Sequence, residues 1–314
     1  MSVIVFGSIN MDLVARTPRI PAPGETLTGH RFETVPGGKG ANQAVAVARL
    51  GIPTQMVGRI GNDAFGQALL QGLQASSVNC NAVLTEATTH SGVAMITVDD
   101  ASENNIVIIP GANGLVDTTD VERLQPLLAQ AKVLLLQLEV PLEAVVAAAK
   151  VAKQSGVTVI LDPAPARTDL PTALYPLLDI VTPNQVETSQ LAGFPVTDLE
   201  TARKAATVLQ QRGVGTVITK LGKQGALCMT LTETFEIPAF PVQAVDTVAA
   251  GDAFNGGLAA GLAAGMPLRE ATQQAAAVAA LSVTKAGAQP SLPTRAELDA
   301  FLTKHGVTSP SADS

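Results

Sequence analysis

The stretch Val133–Asp162, VLLLQLEVPLEAVVAAAKVAKQSGVTVILD, decides the fold. It opens on the run Val133–Leu138, which is apolar except for Gln137, and continues through the Ala-rich segment Leu142–Ser155. After Gly156 it returns to a β-branched run, Val157–Leu161. Runs that are apolar throughout predict strands buried on both faces, and a glycine after a helical segment is typical of a helix C-terminus. A strand, a helix and a second strand in this order predict parallel strands joined by a crossover helix.

The same alternation extends along most of the chain. Further strands are predicted at Val3–Phe6, Gln55–Val57, Ile180–Thr182 and Thr216–Thr219. Further helices are predicted near Ala41–Leu50, Phe65–Ala75, Glu187–Ala192 and Thr201–Arg212, and three of them precede a glycine, at Gly51, Gly193 and Gly213. We therefore predict an α/β fold, a three-layer αβα sandwich around a mostly parallel sheet.

Two regions depart from this rhythm. Residues 12–35 are interrupted by several prolines, and residues 91–110 contain two alternating runs around a polar turn. Both are interpreted as parts of a small β appendage rather than as a second full domain. We expect one domain over residues 1–303, followed by a polar, flexible C-terminal tail over residues 304–314.

The bulk composition narrows the class of protein. The chain has 314 residues, 46% of them apolar, with a net charge of -7 and a pI near 5.0. Such an acidic chain disfavours a nucleic-acid surface, and no apolar run reaches the length that a membrane span needs. The N-terminus, MSVIVFGSINMD, has no basic segment and predicts a first core strand rather than a signal peptide. Two distant cysteines, Cys80 and Cys228, lack the spacing of a zinc site. A cytoplasmic protein is expected.

Polar residues of mixed chemistry follow the predicted strands. They are Asn10, Asp12, Asp63, Glu139, Asp162, Asn184, Glu187 and Lys220. Open parallel sheets bind ligands outside the carboxyl ends of their strands, so this row predicts a binding site. The alternative is that strand-to-helix loops are polar in any case.

The segment Pro36–Gly51, PGGKGANQAVAVARLG, joins a glycine-rich turn to a helix. Lys39 and Asn42 fall in or beside the first helical turn, where free N–H groups and the positive end of the helix dipole suit a hydroxyl-rich or anionic ligand. The GxxxxGK[ST] and GxGxxG patterns of nucleotide-binding loops are absent from the chain. The alternative is a glycine-rich turn followed by a packed helix.

The segment Val245–Gly265, VDTVAAGDAFNGGLAAGLAAG, places small residues before an Ala/Gly-rich helix that is expected to start near Asp252. Consecutive free N–H groups there form an anion hole, which phosphoryl transfer requires. Asp252 beside that hole could accept the proton of an attacking hydroxyl. The alternative is that Asp252 only caps the helix.

Two weaker motifs follow strands. Asn184 and Glu187, in NQVE, suit a hydrated Mg²⁺ near phosphates, or equally a helix capping box. The segment Thr219–Gly225, TKLGKQG, could line a nucleotide slot, or could be an ordinary β-turn.

Together these motifs resemble the ribokinase-like sugar kinase family. GSINMD, PGGKGANQA, LQLEVPLE, DPAPAR, TPNQVE, QAVDTVAAGDAFNG and KAGAQPS stand in the family's order and spacing, from Val3 to about Leu302. The set is highly specific, although any single motif is not. Lys220 departs from a frequent Thr, and Gln185 from a frequent acidic residue.

The resemblance implies a role for each matching residue. Residues 12–35 and 91–110 match the family's small β-sheet lid. Sugar hydroxyls would be held by Asn10, Asp12, Gly38, Lys39, Asn42, Glu139 and, on the lid, Ala94. Asp252 would be the catalytic base, and the anion-hole amides would belong to Ala249, Ala250 and Gly251. The nucleotide would contact Asn184, Lys220, Gly222, Gly225 and Gly251, and Glu187 would hold Mg²⁺ through water. A monovalent-cation loop would comprise Asp246, Val248, Ser282, Lys285, Gly287 and Ser291.

The activity that the resemblance implies is ATP-dependent phosphorylation of D-ribose at O5, with Mg²⁺ and K⁺. Interlocking lids would make the protein a homodimer. The alternatives are a related kinase acting on fructose, 2-keto-3-deoxygluconate or adenosine, and a catalytically silent sugar or nucleotide sensor.

Overall fold

Two β-sheets organise residues 2–101 and 103–307, which are the residues that the computed structural model describes. The strands are β1 (Ser2–Phe6), β2 (Asn10–Thr17), β3 (Arg31–Gly37), β4 (Thr54–Gly61), β5 (Val78–Glu86), β6 (Gly92–Asp99), β7 (Asn104–Ile109), β8 (Ala131–Leu136), β9 (Thr158–Leu161), β10 (Ile180–Val181), β11 (Thr216–Lys220), β12 (Ala226–Met229) and β13 (Thr234–Ile237).

The larger sheet has the strand order β13-β12-β11-β10-β9-β8-β1-β4-β5 within the described residues. Its strands are parallel from β11 to β5, and β12 and β13 add an antiparallel edge. The chain leaves β1 toward β4 on one side and later returns to β8 on the other. Such a reversal opens a crevice at the carboxyl ends of the strands.

Helices cover both faces of this sheet. They are α1 (Lys39–Arg49), α2 (Ala64–Ala75), α3 (Thr118–Leu124), α4 (Leu142–Gln154), α5 (Gln185–Ala192), α6 (Leu199–Gln211), α7 (Ala250–Ala263), α8 (Leu268–Ser282) and α9 (Arg295–Lys304).

The central strand β1 shows why its sequence is apolar throughout. Val3 and Val5 point into the core shared with α1, α7 and α8, whereas Ile4 and Phe6 point into the core beneath α3 and α4. All four side chains are fully buried. The predicted three-layer αβα sandwich is therefore confirmed.

The predicted β lid is present as the second sheet, with the order β3-β2-β6-β7. Strand β2 pairs antiparallel with β3 and parallel with β6, and β6 pairs antiparallel with β7. Opposite residues share a face, so Asp12, Ala94 and Ile108 lie side by side on one face of the lid.

Helix α7 packs very closely against two neighbours because glycines line its contacts. A methyl group added to Gly256 would come within 2.3 Å of the Ala46 Cβ on α1. One added to Gly257 would come within 2.9 Å of the Ala275 Cα on α8. The Ala/Gly-rich composition of this helix is therefore a requirement of close packing.

The predicted element boundaries need small corrections. The strand predicted at Val133–Leu138 ends at Leu136, because the main-chain N–H of Leu138 donates to Ala164 O instead of continuing the ladder. Strands β5, β12 and β13 and helices α3, α8 and α9 were not predicted. Glycines 51, 156, 193 and 213 all take positive φ after helices, as predicted. The predicted domain limits stay a prediction, and most of the predicted tail lies outside the described residues. Among the described helices, none combines the length and apolarity of a membrane span.

Candidate active site

Three of the predicted polar residues meet where β1, β8 and β9 end. Asn10 follows β1, Glu139 follows β8 and Asp162 follows β9, and these strands are neighbours in the larger sheet. Asn10 and Asp162 are 3% and 2% exposed. Burial of polar groups needs compensating hydrogen bonds, so their partners define the site.

The N-terminus of α1 fixes the position of Glu139. The Glu139 Oε2 accepts hydrogen bonds from the Lys39 main-chain N–H at 3.1 Å and from the Ser8 hydroxyl at 2.5 Å. The preceding Gly38 has a φ of 84°, and a methyl group there would lie 2.6 Å from the Asn10 N. Gly38 is therefore required both by its conformation and by the close approach of β2.

Asp12 lies on the lid, above the end of the larger sheet. A methyl group added to Gly37, on the paired strand β3, would fall 2.2 Å from the Asp12 Oδ2. Ala94, directly opposite Asp12 on β6, is 6% exposed. Small residues on both sides thus leave space around this carboxylate.

Asn10 is held at the junction between the two sheets. Its Oδ1 accepts a hydrogen bond from the Asn113 Nδ2 at 2.7 Å, and that same amide also donates to Ile9 O at 3.0 Å. The main-chain N–H of Ile9 donates to the Asn113 Oδ1 at 2.9 Å. Because Asn113 holds the Asn10 oxygen, the amide N–H₂ of Asn10 is the group left to bind a ligand.

Asp252 is fixed by two side-chain amides of α1. The Asn42 Nδ2 donates to its Oδ2 at 3.0 Å, and the Gln43 Nε2 donates to its Oδ1 at 3.1 Å. Helix α7 starts at Ala250 and its N-cap is Ala249, so Asp252 is not the helix cap that the alternative interpretation proposed. The predicted start near Asp252 was two residues late.

Four charged side chains share this space, and their proximity shifts the pKa values of Asp12, Asp252 and Lys39. Burial raises the pKa of Asp12 to about 7, and the carboxylates of Glu139 and Asp252 add to the shift. Burial raises the pKa of Asp252 to about 6, although Lys39 acts in the opposite direction. Burial opposes the charge on Lys39, but the surrounding carboxylates outweigh it and raise its pKa.

The turn into α7 has the geometry of an anion-binding nest. Ala249 takes a left-handed conformation, with φ 59° and ψ 12°, immediately before the right-handed helix. Left-handed backbone is costly for a residue with a Cβ, and alternation of hand makes successive N–H groups converge. The N–H of Ala250 bonds weakly to Thr247 O at 3.2 Å. Half-buried Gly251 presents backbone without a side chain.

Asn184 and Glu187 form the capping box of α5. Each side chain accepts from the other's main-chain N–H, at 2.9 Å and 2.7 Å. The capping interpretation is therefore confirmed, and it does not exclude a ligand. Burial raises the pKa of Glu187, while the nearby positive charge of Lys220 lowers it.

The segment after β11 forms a turn, as its alternative interpretation stated. Gly222 and Gly225 both take positive φ, and a methyl group on Gly225 would lie 2.0 Å from Ile237 O. Lys220 leaves this turn toward the interior, where its Nζ lies 3.0 Å from the Asp162 Oδ1. A methyl group built on Gly251 would lie 3.4 Å from the same Nζ.

Asp246 joins two loops beside α7. Its Oδ1 accepts from the Val248 N–H at 3.0 Å and its Oδ2 from the Gly287 N–H at 2.9 Å. Ser282 ends α8, and the Ser291 Oγ donates to Ala288 O at 2.7 Å. The Lys285 Nζ pairs with the Glu297 carboxylate, so its side chain turns away from Asp246. These loops therefore carry main-chain carbonyl groups as well as the Asp246 carboxylate and the hydroxyls of Ser282 and Ser291.

Several residues of this site were not predicted from the sequence. Ser8, Gln43, Asn113 and Gln137 make the contacts that orient predicted residues. Ser8, Gln43 and Gln137 stand within the quoted motifs GSINMD, PGGKGANQA and LQLEVPLE, whereas Asn113 carried no such signal. Asp63 was in the predicted polar row, but it caps α2 and bonds to Ser91 instead.

No three-residue cluster of His, Cys, Asp or Glu that could hold a metal ion directly occurs within residues 2–101 and 103–307. A Mg²⁺ ion near phosphates keeps most of its water and needs few protein ligands. The single carboxylate of Glu187 would therefore be enough to hold it through water.

Comparisons with known proteins identify the family of this chain. The model of the pfkB family carbohydrate kinases matches residues 1–295. The ribokinase of Haemophilus influenzae is 42% identical over 96% of this chain and 98% of its own length. The deoxyribokinase of Salmonella typhi is 38% identical over 96% and 99%. The Arabidopsis thaliana ribokinase solved with ribose and ATP is 33% identical, with a TM-score of 0.89 over 96% of this chain and 98% of that one. The chain therefore belongs to the pfkB family of carbohydrate kinases.

Proposed function

We propose that this kinase transfers the γ-phosphate of ATP to O5 of D-ribose and releases ribose 5-phosphate and ADP. The observation that carries the proposal is Asp252, whose carboxylate is oriented by two amides and stands in the first turn of α7, beside the nest of main-chain N–H groups. The similarity to the ribokinase of Haemophilus influenzae and to the Arabidopsis thaliana ribokinase with ribose and ATP supports the choice of sugar.

The sugar would lie between the lid and the end of the larger sheet. Its hydroxyls would contact Asn10, Asp12, Gly38, Lys39, Asn42, Ala94 and Glu139. One observation supports a hydroxyl donor at this place: the buried Oδ1 of Asn42 has no hydrogen-bond partner among the described residues. A buried acceptor without a donor costs free energy, which a sugar hydroxyl would recover. The carboxylate of Asp12 can accept from two neighbouring hydroxyls.

Asp252 would take the proton of the O5 hydroxyl as that oxygen attacks phosphorus in line. A pKa of about 6 keeps this carboxylate ionised at neutral pH, while making it a better proton acceptor than an ordinary aspartate. The main-chain N–H groups of Ala249, Ala250 and Gly251 would hold the charge on the transferring phosphoryl group. The lid would exclude water, which otherwise competes as acceptor.

The nucleotide would lie against Asn184, Lys220, Gly222, Gly225 and Gly251. Lys220 and Gly251 are close enough to contact one phosphate together. Glu187 would hold Mg²⁺ through water, and that ion would neutralise phosphate charge. K⁺ would lie among main-chain oxygens of the loops that contain Asp246, Val248, Ser282, Lys285, Gly287 and Ser291, where it would shape the adjacent nest.

Two copies of the chain would form a homodimer through their lids. The lid face that carries Asp12 also exposes Ile106 and Ile108, which are 51% and 42% exposed. The opposite lid face also exposes apolar side chains, Met95 and Val107 among them, and exposed apolar surface of this kind favours burial against a partner. The Asp12 face is the one proposed here, because partner lids that meet there would also close over the sugar. With its small soluble substrates, such an enzyme would act in the cytoplasm.

The function is tested by ADP release from purified protein with ATP, Mg²⁺ and K⁺ across a panel of acceptors. D-Ribose should be turned over, and 5-deoxy-D-ribose, which lacks the accepting hydroxyl, should give only background ADP release. Turnover of fructose, 2-keto-3-deoxygluconate or adenosine without turnover of ribose would reject ribose as the substrate. No turnover of any acceptor would favour a silent sensor.

A second candidate substrate is 2-deoxy-D-ribose, because a deoxyribokinase matches this chain nearly as well as the ribokinases do. Asp12 favours ribose, since only ribose offers a pair of neighbouring hydroxyls at C2 and C3. Loss of a hydrogen bond to a charged group costs about 1.5–3 kcal/mol. The value of kcat/KM should therefore be at least about tenfold higher for ribose. The reverse preference would assign the enzyme to deoxyribose.

A further inference from the structure

A chain of buried polar contacts connects the nucleotide loop with Asp252. The Lys220 Nζ lies 3.0 Å from the Asp162 Oδ1. The other oxygen of Asp162 accepts from the Gln43 Nε2 at 3.0 Å, and that same nitrogen donates to the Asp252 Oδ1 at 3.1 Å. The Lys220 side chain is 14% exposed, whereas Asp162 and Gln43 are at most 2% exposed.

The orientation of Gln43 is fixed, so the bridge has one arrangement. The Gln137 Nε2 donates to the Gln43 Oε1 at 2.7 Å, and both carboxylates can only accept when they are ionised. The N–H₂ group of Gln43 must therefore face Asp162 and Asp252. The two carboxylate oxygens that accept from it lie at most about 6 Å apart. Two negative charges at this separation repel each other strongly in a buried site.

Lys220 compensates one of these charges in the ligand-free protein. It also stands at the edge of the nest, since a methyl group on Gly251 would lie 3.4 Å from its Nζ. A polyphosphate bound at the first turn of α7 would carry several negative charges to this ammonium group. It would therefore compete with Asp162 for Lys220.

We propose that Asp162 is a positioning residue that links the arrival of the phosphate donor to the strength of the base. The polyphosphate draws Lys220 away from Asp162, and the uncompensated Asp162 makes Asp252 a stronger proton acceptor only when a donor is present. The inference rests on the proposed function, because it requires a nucleotide at α7 and Asp252 as the base.

The other charges that face Asp252 do not provide this link. Lys39, on α1, lowers the pKa of Asp252 and is surrounded by carboxylates of several elements. Asp12, on the lid, interacts with Asp252 only through space. Its surroundings would change when the sugar binds rather than when the nucleotide binds. Asp162 differs from Lys39 and Asp12 because it both raises the pKa of Asp252 and contacts Lys220.

The test compares two pH profiles. In each, the midpoint is the pH at which the rate parameter has fallen to half its maximum on the acid side. The profile of kcat/KM for ATP at saturating sugar describes the enzyme before ATP binds, and that of kcat/KM for sugar at saturating ATP describes the enzyme with ATP bound. Lys220→Met should raise the first midpoint by about 0.5–2 pH units and leave the second unchanged. Asp162→Asn should lower the second midpoint by a similar amount. In the Asp162→Asn background, Lys220→Met should move neither midpoint.

Two other outcomes would overturn the inference. If Lys220→Met raises both midpoints equally, the ion pair persists with ATP bound. If Asp162→Asn lowers kcat at every pH without moving either midpoint, Asp162 has only a packing role. Lys223→Met, an exposed lysine of the same loop, is the matched control and should keep both wild-type midpoints.

Calorimetric ATP binding without sugar separates this inference from the proposed substrate. Lys220→Met should weaken ATP binding, whereas Asp162→Asn should tighten it severalfold, because Lys220 no longer leaves an ion pair. Unchanged affinity in Asp162→Asn refutes the inference even if wild-type protein phosphorylates ribose. If another sugar proves to be the acceptor, the same profiles recorded with that sugar decide the matter.

Discussion

Replacing Asp252 with Asn tests the proposed chemistry most directly. The change keeps the shape of the side chain and removes its ability to take a proton. Loss of a general base lowers kcat about 10²–10⁴-fold, which corresponds to about 2.7–5.4 kcal/mol of transition-state stabilisation. We expect kcat for ribose to fall within this range, measured by ADP release at pH 8.

The fold should survive this substitution, because two effects on stability oppose each other. The folded-state pKa of Asp252 is raised to about 6 from an ordinary 3.8, so ionisation destabilises the native protein as pH rises through 6. Removing the charge at pH 8 gains at most about 3 kcal/mol. The new N–H₂ group replaces one carboxylate oxygen and so meets the amide donor of either Asn42 or Gln43, which costs about 1–3 kcal/mol. The melting temperature should therefore change little.

A matched control separates the role of Asp252 from that of any aspartate at a helix start. Asp198 caps α6 at the surface through its bond to the Thr201 N–H, and Asn is an equally good cap. Asp198→Asn should keep kcat within about twofold of wild type. If Asp252→Asn keeps kcat within tenfold while remaining folded, Asp252 is not the general base.

Four further predictions concern the same site. The value of kcat/KM for sugar should begin to fall near pH 7, where the Asp12 carboxylate becomes protonated, and fall more steeply below about pH 6, where Asp252 does; a flat profile from pH 5 to 8 would contradict this. Gly37→Ala should raise the KM for ribose at least about tenfold with a smaller effect on kcat, because the methyl group meets the Asp12 carboxylate; unchanged KM would remove Asp12 from the sugar site. Asp246→Ala should abolish activation by K⁺ in an ADP-release assay, and retention of full activation would place the cation elsewhere. Ile106→Glu should lower the mass measured by light scattering to that of a monomer, whereas Val107→Glu, on the opposite lid face, should leave a dimer; a monomeric wild type would reject the lid interface.

The layered architecture was predictable because it depends on local patterns. Strands such as β1 and β8 are apolar on both faces, and the helices between them end at glycines with positive φ. Hydrophobic periodicity and the steric freedom of glycine act within a few residues, so they are visible in one sequence. The short edge strands β12 and β13 escaped prediction because four residues carry little periodicity.

The contacts that orient the site could not be predicted in the same way. Gln43 bonds to Asp162 and Asp252, which are 119 and 209 positions away in the chain. Nothing local to a glutamine indicates which distant carboxylates it will meet. The start of α7 was misplaced for a related reason. An alanine in the sequence does not indicate a left-handed conformation, which the surrounding fold imposes on Ala249.

The glycine contact between α7 and α1 has a consequence for how this scaffold can diversify. Position 256 has no room for one additional carbon against Ala46. A larger residue there would push the helix that carries the base away from the helix that orients it. Substitutions that alter acceptor choice should therefore accumulate on the second sheet, whose strands can change without disturbing proton transfer. New acceptor specificities in such an enzyme are therefore expected to arise by substitutions in the lid, while the packing of α1 against α7 stays unchanged.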